Sequence, residues 1–515
     1  MRIGTNVAAI VANNALQKSQ NNLSTSIERL SSGYKINGSK DDAAGCAISE
    51  KMRAQIRGLS QAQNNTADGV SVLNTAEGAI TEIQSMLTRL KELSVQAAND
   101  VNSDDEREAI QKEIEQINNE IDRISDQTEF NTQSLINGNL SRRVYSDLQG
   151  VNQLSVSDSY TAGVYGITVT EDARQAIAVG AGSITMSSTA SITEEQAGAI
   201  NINGYKISIS EGDTLDKVMG KIIDGVNITG GSAFTVKDLN HDTAANGTDY
   251  AGYVPTADYA GSTLVIMTNQ YGSDQKMNIT CDNAELADIL GIPQAATQDG
   301  IYVEGSDVKA EIATGDDGKR IGFADSAILS TKGTVITVTD VNNKEFSMDV
   351  PGNAAGTVFD DSNNDGQSAA GAGTARTISQ EVTDVGTMSI HVGANQDQVI
   401  VIDIPAITTY SLGTEHMNVM TQYTASRAIS TVDEAINKTN KIRSRIGAYE
   451  NRFDHTTNNL EVSSENLTKS LSTMIDTDMS EEMTTYTSET VLTQAATSIL
   501  AQANERPSQV LQLLQ

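Results

Sequence analysis

The sequence predicts an α+β protein in which N- and C-terminal helices pair into a coiled coil and a helical bundle, with β-rich outer domains inserted between them. Apolar residues recur every three or four positions in 1–140 and in 426–515, which is the spacing of helices that pack along a seam. Between these ends, short β-type runs are separated by turn residues. Because an apolar helix face must be covered, we expect the two ends to meet and the middle to project outward.

The N-terminal end predicts three helices. The first spans 3–33 and ends near Gly33, and the second spans about 43–100. The third begins with Ser103 and Glu106, which have the spacing of a capping box, and continues with isoleucines four and three residues apart. The first 254 residues contain no proline, so nothing of that kind breaks a long helix there.

The C-terminal end repeats the helical pattern. Apolar residues from Ile429 to Met474 keep the same spacing, and a last helix is predicted over about 480–504. We expect this helix to stop before Pro507, because proline has no amide hydrogen to donate inside a helix.

The middle of the chain predicts strands with one helix, at about 214–224, among them. The expected strands share a richness in β-branched residues and flanking turn residues. They lie at 166–170, 206–210, 262–268, 334–339 and 398–404.

The charge of the chain excludes several classes of partner. The net charge is −32, of which the middle carries −22, so the middle is expected to be a solvated outer surface. An acidic chain repels phosphate groups, and we therefore expect no nucleic-acid and no membrane partner. No run of 18 apolar residues and no apolar stretch typical of a secretory signal is found.

Residue types that carry chemistry are sparse. The two cysteines, Cys46 and Cys281, lie far apart in the sequence and cannot by themselves form a disulfide framework or a zinc site. The four histidines are scattered, and no nucleophile–base motif or phosphate-binding loop is present. We expect no enzymatic activity and no cofactor.

The outermost segments, 1–35 and 480–515, are narrow amphipathic rods with few large side chains. Ordering a residue costs roughly 1–2 kcal/mol of backbone entropy, which two such rods cannot offset alone. We expect them to be disordered in the monomer and ordered by neighbouring copies. A repeated contact of this kind that does not close into a ring produces a helical filament.

Several segments resemble the bacterial flagellins. The N-terminal match includes 30–59, which runs LSSGYKINGSKDDAAGCAISEKMRAQIRGL, and 64–78. The C-terminal match includes 490–504 and the mostly apolar segment 510–514. Residues 390–404 resemble the β-hairpin that joins the flagellin core, and 202–216 resembles the flagellin IN motif.

The resemblance implies a domain organisation. It divides the chain into an inner coiled-coil core, a helical bundle, variable outer domains with an IN-like part at about 199–292, and a hairpin with its connection. The implied ranges are 1–42 and 476–515 for the inner core, 43–140 and 426–475 for the bundle, 141–388 for the outer domains, and 389–425 for the hairpin.

The resemblance also implies a life cycle and partners. A flagellin is secreted unfolded through the flagellar type III export apparatus with the help of an export chaperone. It polymerises with copies of itself into the extracellular filament, between the junction proteins and the filament cap. Residues implied in inner-core assembly are Val7, Ile10, Leu23, Ile27, Leu30, Leu500, Val510, Leu511, Leu513 and Leu514.

A further expectation concerns the second helix. Arg89 and Leu93 lie one position away from the line of Ile83, Leu87 and Leu90, so we expect them on a face that flanks the core seam. In flagellins this face meets the neighbouring subunit, and in many of them it is recognised by Toll-like receptor 5. The resemblance implies that role for Arg89, Leu93 and Glu113.

Two alternatives to a filament flagellin remain open from the sequence. A hook–filament junction protein shares the helical ends. A flagellin scaffold that displays an enzymatic or adhesive insert is the second, because 295–388 matches no motif.

Overall fold

The computed structural model describes residues 6–157, 160–180, 182–237, 259, 261–292, 300–315, 318–340, 344–352, 375–383 and 385–513, with side chains to residue 506. The chain forms two compact units. The terminal unit comprises Met1–Val70, Ile390–Ile400 and Asn451–Gln515, and the central unit comprises Ser71–Ser389 and Val401–Glu450. The boundaries of these two units differ in kind from the six ranges that the resemblance implies for the core, bundle, outer domains and hairpin. That domain organisation stays a prediction.

Most of the helical residues belong to five long helices at the two chain ends. In the described residues the helices are α1 (Val7–Ser32), α2 (Ala43–Ala97), α3 (Asp104–Gln127), α4 (Leu215–Ile228), α5 (Ala284–Ile289), α6 (Thr409–Leu412), α7 (Gln422–Ile475) and α8 (Met479–Leu513).

Strands fill most of the interval between α3 and α6. They are β1 (Glu129–Phe130), β2 (Gln133–Ser134), β3 (Val144–Ser146), β4 (Asn152–Val156), β5 (Gly163–Glu171), β6 (Gln175–Val179), β7 (Gly198–Ile202), β8 (Tyr205–Ile209), β9 (Gly231–Lys237), β10 (Ser262–Tyr271), β11 (Lys276–Cys281), β12 (Ile301–Glu304), β13 (Lys309–Ile312), β14 (Ile328–Lys332), β15 (Val335–Thr339), β16 (Glu345–Asp349), β17 (Arg376–Val382), β18 (Met388–His391) and β19 (Val399–Ile402).

The predicted helices of the N-terminal end are confirmed where the chain is described. Gly33 ends α1 with φ of 76°, a left-handed conformation that glycine adopts without the strain of a side chain. At the start of α3, the Glu106 carboxylate accepts from the backbone amide of Ser103 at 2.8 Å, and the amide of Glu106 donates to the Ser103 hydroxyl at 3.4 Å. The expected capping box is therefore formed.

The prediction that the last helix stops before Pro507 is wrong. Helix α8 continues to Leu513. A proline removes one backbone hydrogen bond from a helix, and at Pro507 the acceptor left without its donor is the carbonyl oxygen of Ala503. The side chain of Asn6 donates to this oxygen instead. A contact from elsewhere in the fold thus offsets the local break.

The central unit contains a helical bundle formed by α3 and by the parts of α2 and α7 that belong to this unit. Lys91 Nζ of α2 lies 2.6 Å from a carboxylate oxygen of Asp433 on α7, and Arg443 of α7 donates to Gln84 of α2 at 2.7 Å. The buried apolar residues follow the predicted seams. They include Leu73, Ile80, Ile83, Leu87 and Leu90 of α2, Ile110, Ile114 and Ile121 of α3, and Val432 and Ile446 of α7.

The strands of the insert form four small antiparallel sheets, and two large hydrophobic cores lie among them in the described residues. One core lies among the sheets β12-β11-β7-β8 and β6-β10-β9 with helices α4 and α5, and it contains Ile200, Ile222 and Leu264. The other lies between the sheets β13-β5-β17-β3 and β14-β15-β16-β4 and contains Ile167 and Phe346. The five expected strands and the helix at 214–224 are confirmed, with boundaries that differ by four residues at most.

Strands β18 and β19 form the hairpin expected at 390–404, closed by a hydrogen bond from the amide of Val392 to the carbonyl of Gln398 at 2.8 Å.

A membrane-crossing helix would need a longer apolar stretch than any helix in the described ranges provides.

Candidate assembly surface

The two terminal helices, α1 and α8, pack along each other in antiparallel directions. Tyr34, just after α1, forms an antiparallel bridge with Asp476, just before α8. Two further backbone bonds close this end of the pair, from the amide of Lys35 to Ile475 at 2.6 Å and from Thr477 to Gly33 at 3.0 Å. The expected pairing of the chain ends is therefore confirmed.

Polar contacts join the two helices along their length. The Ser26 hydroxyl donates to Glu482 Oε1 at 2.5 Å, and Arg29 Nη1 lies 3.6 Å from the other oxygen of that carboxylate. Ser26 and Glu482 are 1% and 9% exposed, so this contact is inside the helix pair. Asn22 makes a second, exposed contact with Glu489 at 2.9 Å.

Ser26 and Glu482 are not among the residues predicted from the sequence, because the helical pattern of the terminal segments is carried by apolar residues. A signal was present: Ser26 stands next to Ile27 and between Leu23 and Leu30, within the apolar spacing of α1. Only the pairing with α8 shows that the serine faces inward while Ile27 is 49% exposed.

Both helices keep apolar side chains in solvent after they have paired. We call these residues the open apolar face, and each is at least 49% exposed. The open apolar face consists of Val7, Ile10, Val11 and Ile27 on α1, and Met479, Met483, Val491, Leu492 and Ile499 on α8.

The predicted inner-core residues fall into three groups. Val7, Ile10 and Ile27 belong to the open apolar face, whereas Leu23, Leu30 and Leu500 are half-buried. The remaining residues cannot be placed by their contacts. The side chains of Val510, Leu511 and Leu513, and the whole of Leu514, lie outside the described residues.

Arg89 and Glu113 form an exposed ion pair between α2 and α3. The Nε and Nη2 atoms of Arg89 donate to Glu113 Oε1 at 3.1 and 2.9 Å, and its Nη1 donates to Glu92 at 3.1 Å. These hydrogen bonds, the one to Glu113 foremost, raise the pKa of Arg89 above its ordinary value. The guanidinium, which is charged in any case, is directed toward these two carboxylates.

The prediction that Leu93 lies on a flanking surface is wrong. Its side chain is 1% exposed, and Ser94 and Ala97 beside it are buried completely. The apolar stripe of α2 is wide enough to include Leu93, since this helix is covered by more than one neighbouring element. Leu93 is thus a core residue in the single chain.

No group of three or more His, Cys, Asp or Glu side chains suited to a metal ion occurs in the part of the chain that is described. Paired helices at the two chain ends, with apolar side chains left in solvent, are the architecture of a structural protein that associates with further copies.

Comparison with known proteins agrees with this class. The model of the bacterial flagellin N-terminal helical region matches residues 3–141, and that of the C-terminal helical region matches 429–514. The flagellin of Salmonella typhimurium is 32% identical over 99% of each chain, and polar flagellin A of Vibrio parahaemolyticus is 30% identical over 100% of this chain and 99% of that one. The chain belongs to the bacterial flagellins, the structural subunits of the extracellular flagellar filament.

Solved structures resemble the chain only distantly. A structure of FliC from Burkholderia pseudomallei is 15% identical, covers 75% of this chain and 99% of that chain, and has a TM-score of 0.22. The flagellar cap protein FliD of Escherichia coli, domains D1-D2-D3, is 13% identical over 72% of each chain, with a TM-score of 0.26. Structural similarity at this level does not support a family assignment. Membership of the flagellins rests on the sequence matches.

Proposed function

We propose that the chain is exported unfolded and polymerises through its terminal helices, with the open apolar face of one copy covered by neighbouring copies. The observation that carries this proposal is the exposure of apolar side chains on both helices after they have paired with each other. Each half-exposed aliphatic side chain that a neighbour covers contributes about 1 kcal/mol. A contact that repeats from copy to copy without closing extends into a filament.

The first experiment asks whether purified chain elongates filament fragments, and whether removal of 1–35 or 480–515 abolishes elongation. We expect elongation by the full chain and none by either truncated chain, since each deletion removes one member of the helix pair. Filaments formed by the truncated chains would contradict the mechanism.

A point substitution tests the open apolar face without removing a helix. Val491→Ser is expected to raise the critical concentration for elongation about fivefold, which corresponds to about 1 kcal/mol of lost burial. Ile328→Ser is the matched control, because Ile328 is 70% exposed but lies on β14 of the insert. An equal effect of both substitutions would contradict a specific role for the terminal helices.

The partners of assembly follow from the family. We infer that the chain uses the flagellar type III export apparatus and an export chaperone, and that its filament meets junction proteins at one end and a cap at the other. The N-terminal segment, 1–35, would direct export. Cells that carry a chain without 1–35 should retain it inside, and release of that chain into the medium would contradict this inference.

We further propose that Toll-like receptor 5 recognises the surface around Arg89 and Glu113. The support is an oriented, exposed charge pair that bridges two helices, with the Arg89 side chain 49% and the Glu113 side chain 46% exposed. Such a pair offers geometric specificity to a partner. Leu93 is not part of this proposal, because it is buried.

A further inference from the structure

Asn6 connects the start of α1 to the proline-containing part of α8. Its Oδ1 accepts from the backbone amide of Ala9 at 3.2 Å, which caps α1. Its Nδ2 donates to the carbonyl oxygen of Ala503 at 2.9 Å, in a half-buried position. Both polar atoms of one side-chain amide are therefore used, one within α1 and the other across the helix pair.

The acceptor in this contact is a carbonyl oxygen whose usual donor in α8 is missing. In an α-helix the amide of each residue donates to the carbonyl four residues earlier, so residue 507 would bond Ala503. Residue 507 is proline, which has no amide hydrogen. A half-buried acceptor without a donor destabilises the fold, and the Asn6 amide removes this defect.

We propose that Asn6 is a positioning residue whose amide replaces the hydrogen bond that Pro507 removes, and that this contact selects the register of α1 against α8. The other contacts of the pair agree with a single antiparallel register. From one end to the other, the partners are Asn6 with Ala503, Asn22 with Glu489, Ser26 with Glu482, and Tyr34 with Asp476.

Apolar faces alone define such a register weakly, because a helix that slides by one turn presents a similar stripe. A slide of one turn would move the Asn6 amide away from Ala503, whereas the unsatisfied carbonyl would stay at its place on α8. Pro507 thus leaves a carbonyl without its usual donor at one position along α8, and Asn6 supplies a donor at that position only.

The test is a double-mutant cycle between the two positions, and its main readout rests on the proposed function. Asn6→Ser keeps a capping oxygen for Ala9 but is too short to bring a donor to Ala503. We expect it to raise the critical concentration for elongation about fivefold, as for one ordinary hydrogen bond. Pro507→Ala restores the amide donor to Ala503, so Asn6→Ser should have almost no effect in that background.

Asn22→Ala provides the matched control. It removes another contact between the same two helices, about 24 Å along α1 from Asn6. Its effect should be the same with proline or alanine at position 507, because distant sites are additive. An equal effect of Asn6→Ser in both backgrounds, or no effect in the wild-type chain, would overturn the proposal.

Failure of the proposed function gives a different result. If wild-type chain does not elongate filament fragments, the polymerisation mechanism fails, and with it the expectation that the terminal helices are ordered only by neighbouring copies. The same chains are then compared by the melting midpoint of their helices in circular dichroism. The coupling between positions 6 and 507 is expected there as well, and its absence would overturn the role of Asn6.

Discussion

The hydroxyl of Ser26 donates to the carboxylate of Glu482 in the buried interior of the terminal helix pair, with the two oxygens 2.5 Å apart. Arg29 lies beside the same carboxylate. A buried carboxylate is costly unless it is bonded, so this group restricts how α1 and α8 can fit together. The restriction resembles that of a polar residue in a coiled-coil seam, which specifies register at some cost in stability.

Ser26→Ala should weaken the helix pair. It leaves a carboxylate oxygen without its hydroxyl donor in a buried position, and we expect a loss of about 1–2 kcal/mol. The midpoint of heat-induced filament dissociation would measure it. Asn22→Ala removes an exposed contact and should lower the midpoint much less; the reverse order of the two variants would refute the buried role of Ser26.

Leu93→Ala should destabilise the central unit rather than remove a surface contact. The side chain is 1% exposed, and deletion of a buried leucine side chain costs about 2–5 kcal/mol. The measurement is thermal unfolding of the monomeric chain. Val95→Ala on the same helix is the control, because Val95 is 52% exposed. A stable Leu93→Ala chain would contradict the buried placement.

Arg89→Ala should reduce activation of Toll-like receptor 5 by soluble chain, because it removes the oriented charge and frees Glu113. Receptor-reporter cells at a series of chain concentrations would measure the change as a higher half-maximal concentration. Arg123→Ala is the matched control, since Arg123 also forms an exposed ion pair with a carboxylate, Glu120, on the helical surface. Unchanged activation by Arg89→Ala would rule out this surface.

The insert should lose stability in acid through Asp213. Hydrogen bonds from Lys217, Lys221 and the amide of Ser210 hold the pKa of this buried carboxylate well below its ordinary value. The unfolded chain therefore takes up the proton first, at a pKa of about 3.9. The stabilisation is present above that pH and is lost as the pH falls toward the folded-state pKa.

The measurement for Asp213 is the unfolding midpoint of the chain as a function of pH. Wild-type chain should be more stable than Asp213→Asn near neutral pH, and the difference should shrink below about pH 4. Asp224→Asn is the control, because Asp224 is an exposed carboxylate on α4, the helix that begins just after Asp213. A difference that stays constant down to pH 2 would contradict the linkage.

Much of the fold was predictable from local patterns. Long helices repeat their apolar positions many times, so the periodicity of α2 and α7 is visible over more than 50 residues each. The capping box at Ser103 is likewise a local signal, since its two partners are three residues apart. Five strand positions followed from β-branched runs and turns, but the other strands, and the pairing of strands far apart in sequence, did not.

By itself, the sequence determined the helical ends, the acidic β-rich middle and the family, because periodicity, composition and motifs are properties of neighbouring residues. The tertiary structure alone decided which side of each helix is covered. It placed Leu93 in the core, left Ile27 in solvent, and carried α8 past Pro507. These outcomes depend on contacts between residues hundreds of positions apart, such as Ser26 with Glu482, where burial and hydrogen bonding outweigh local preference.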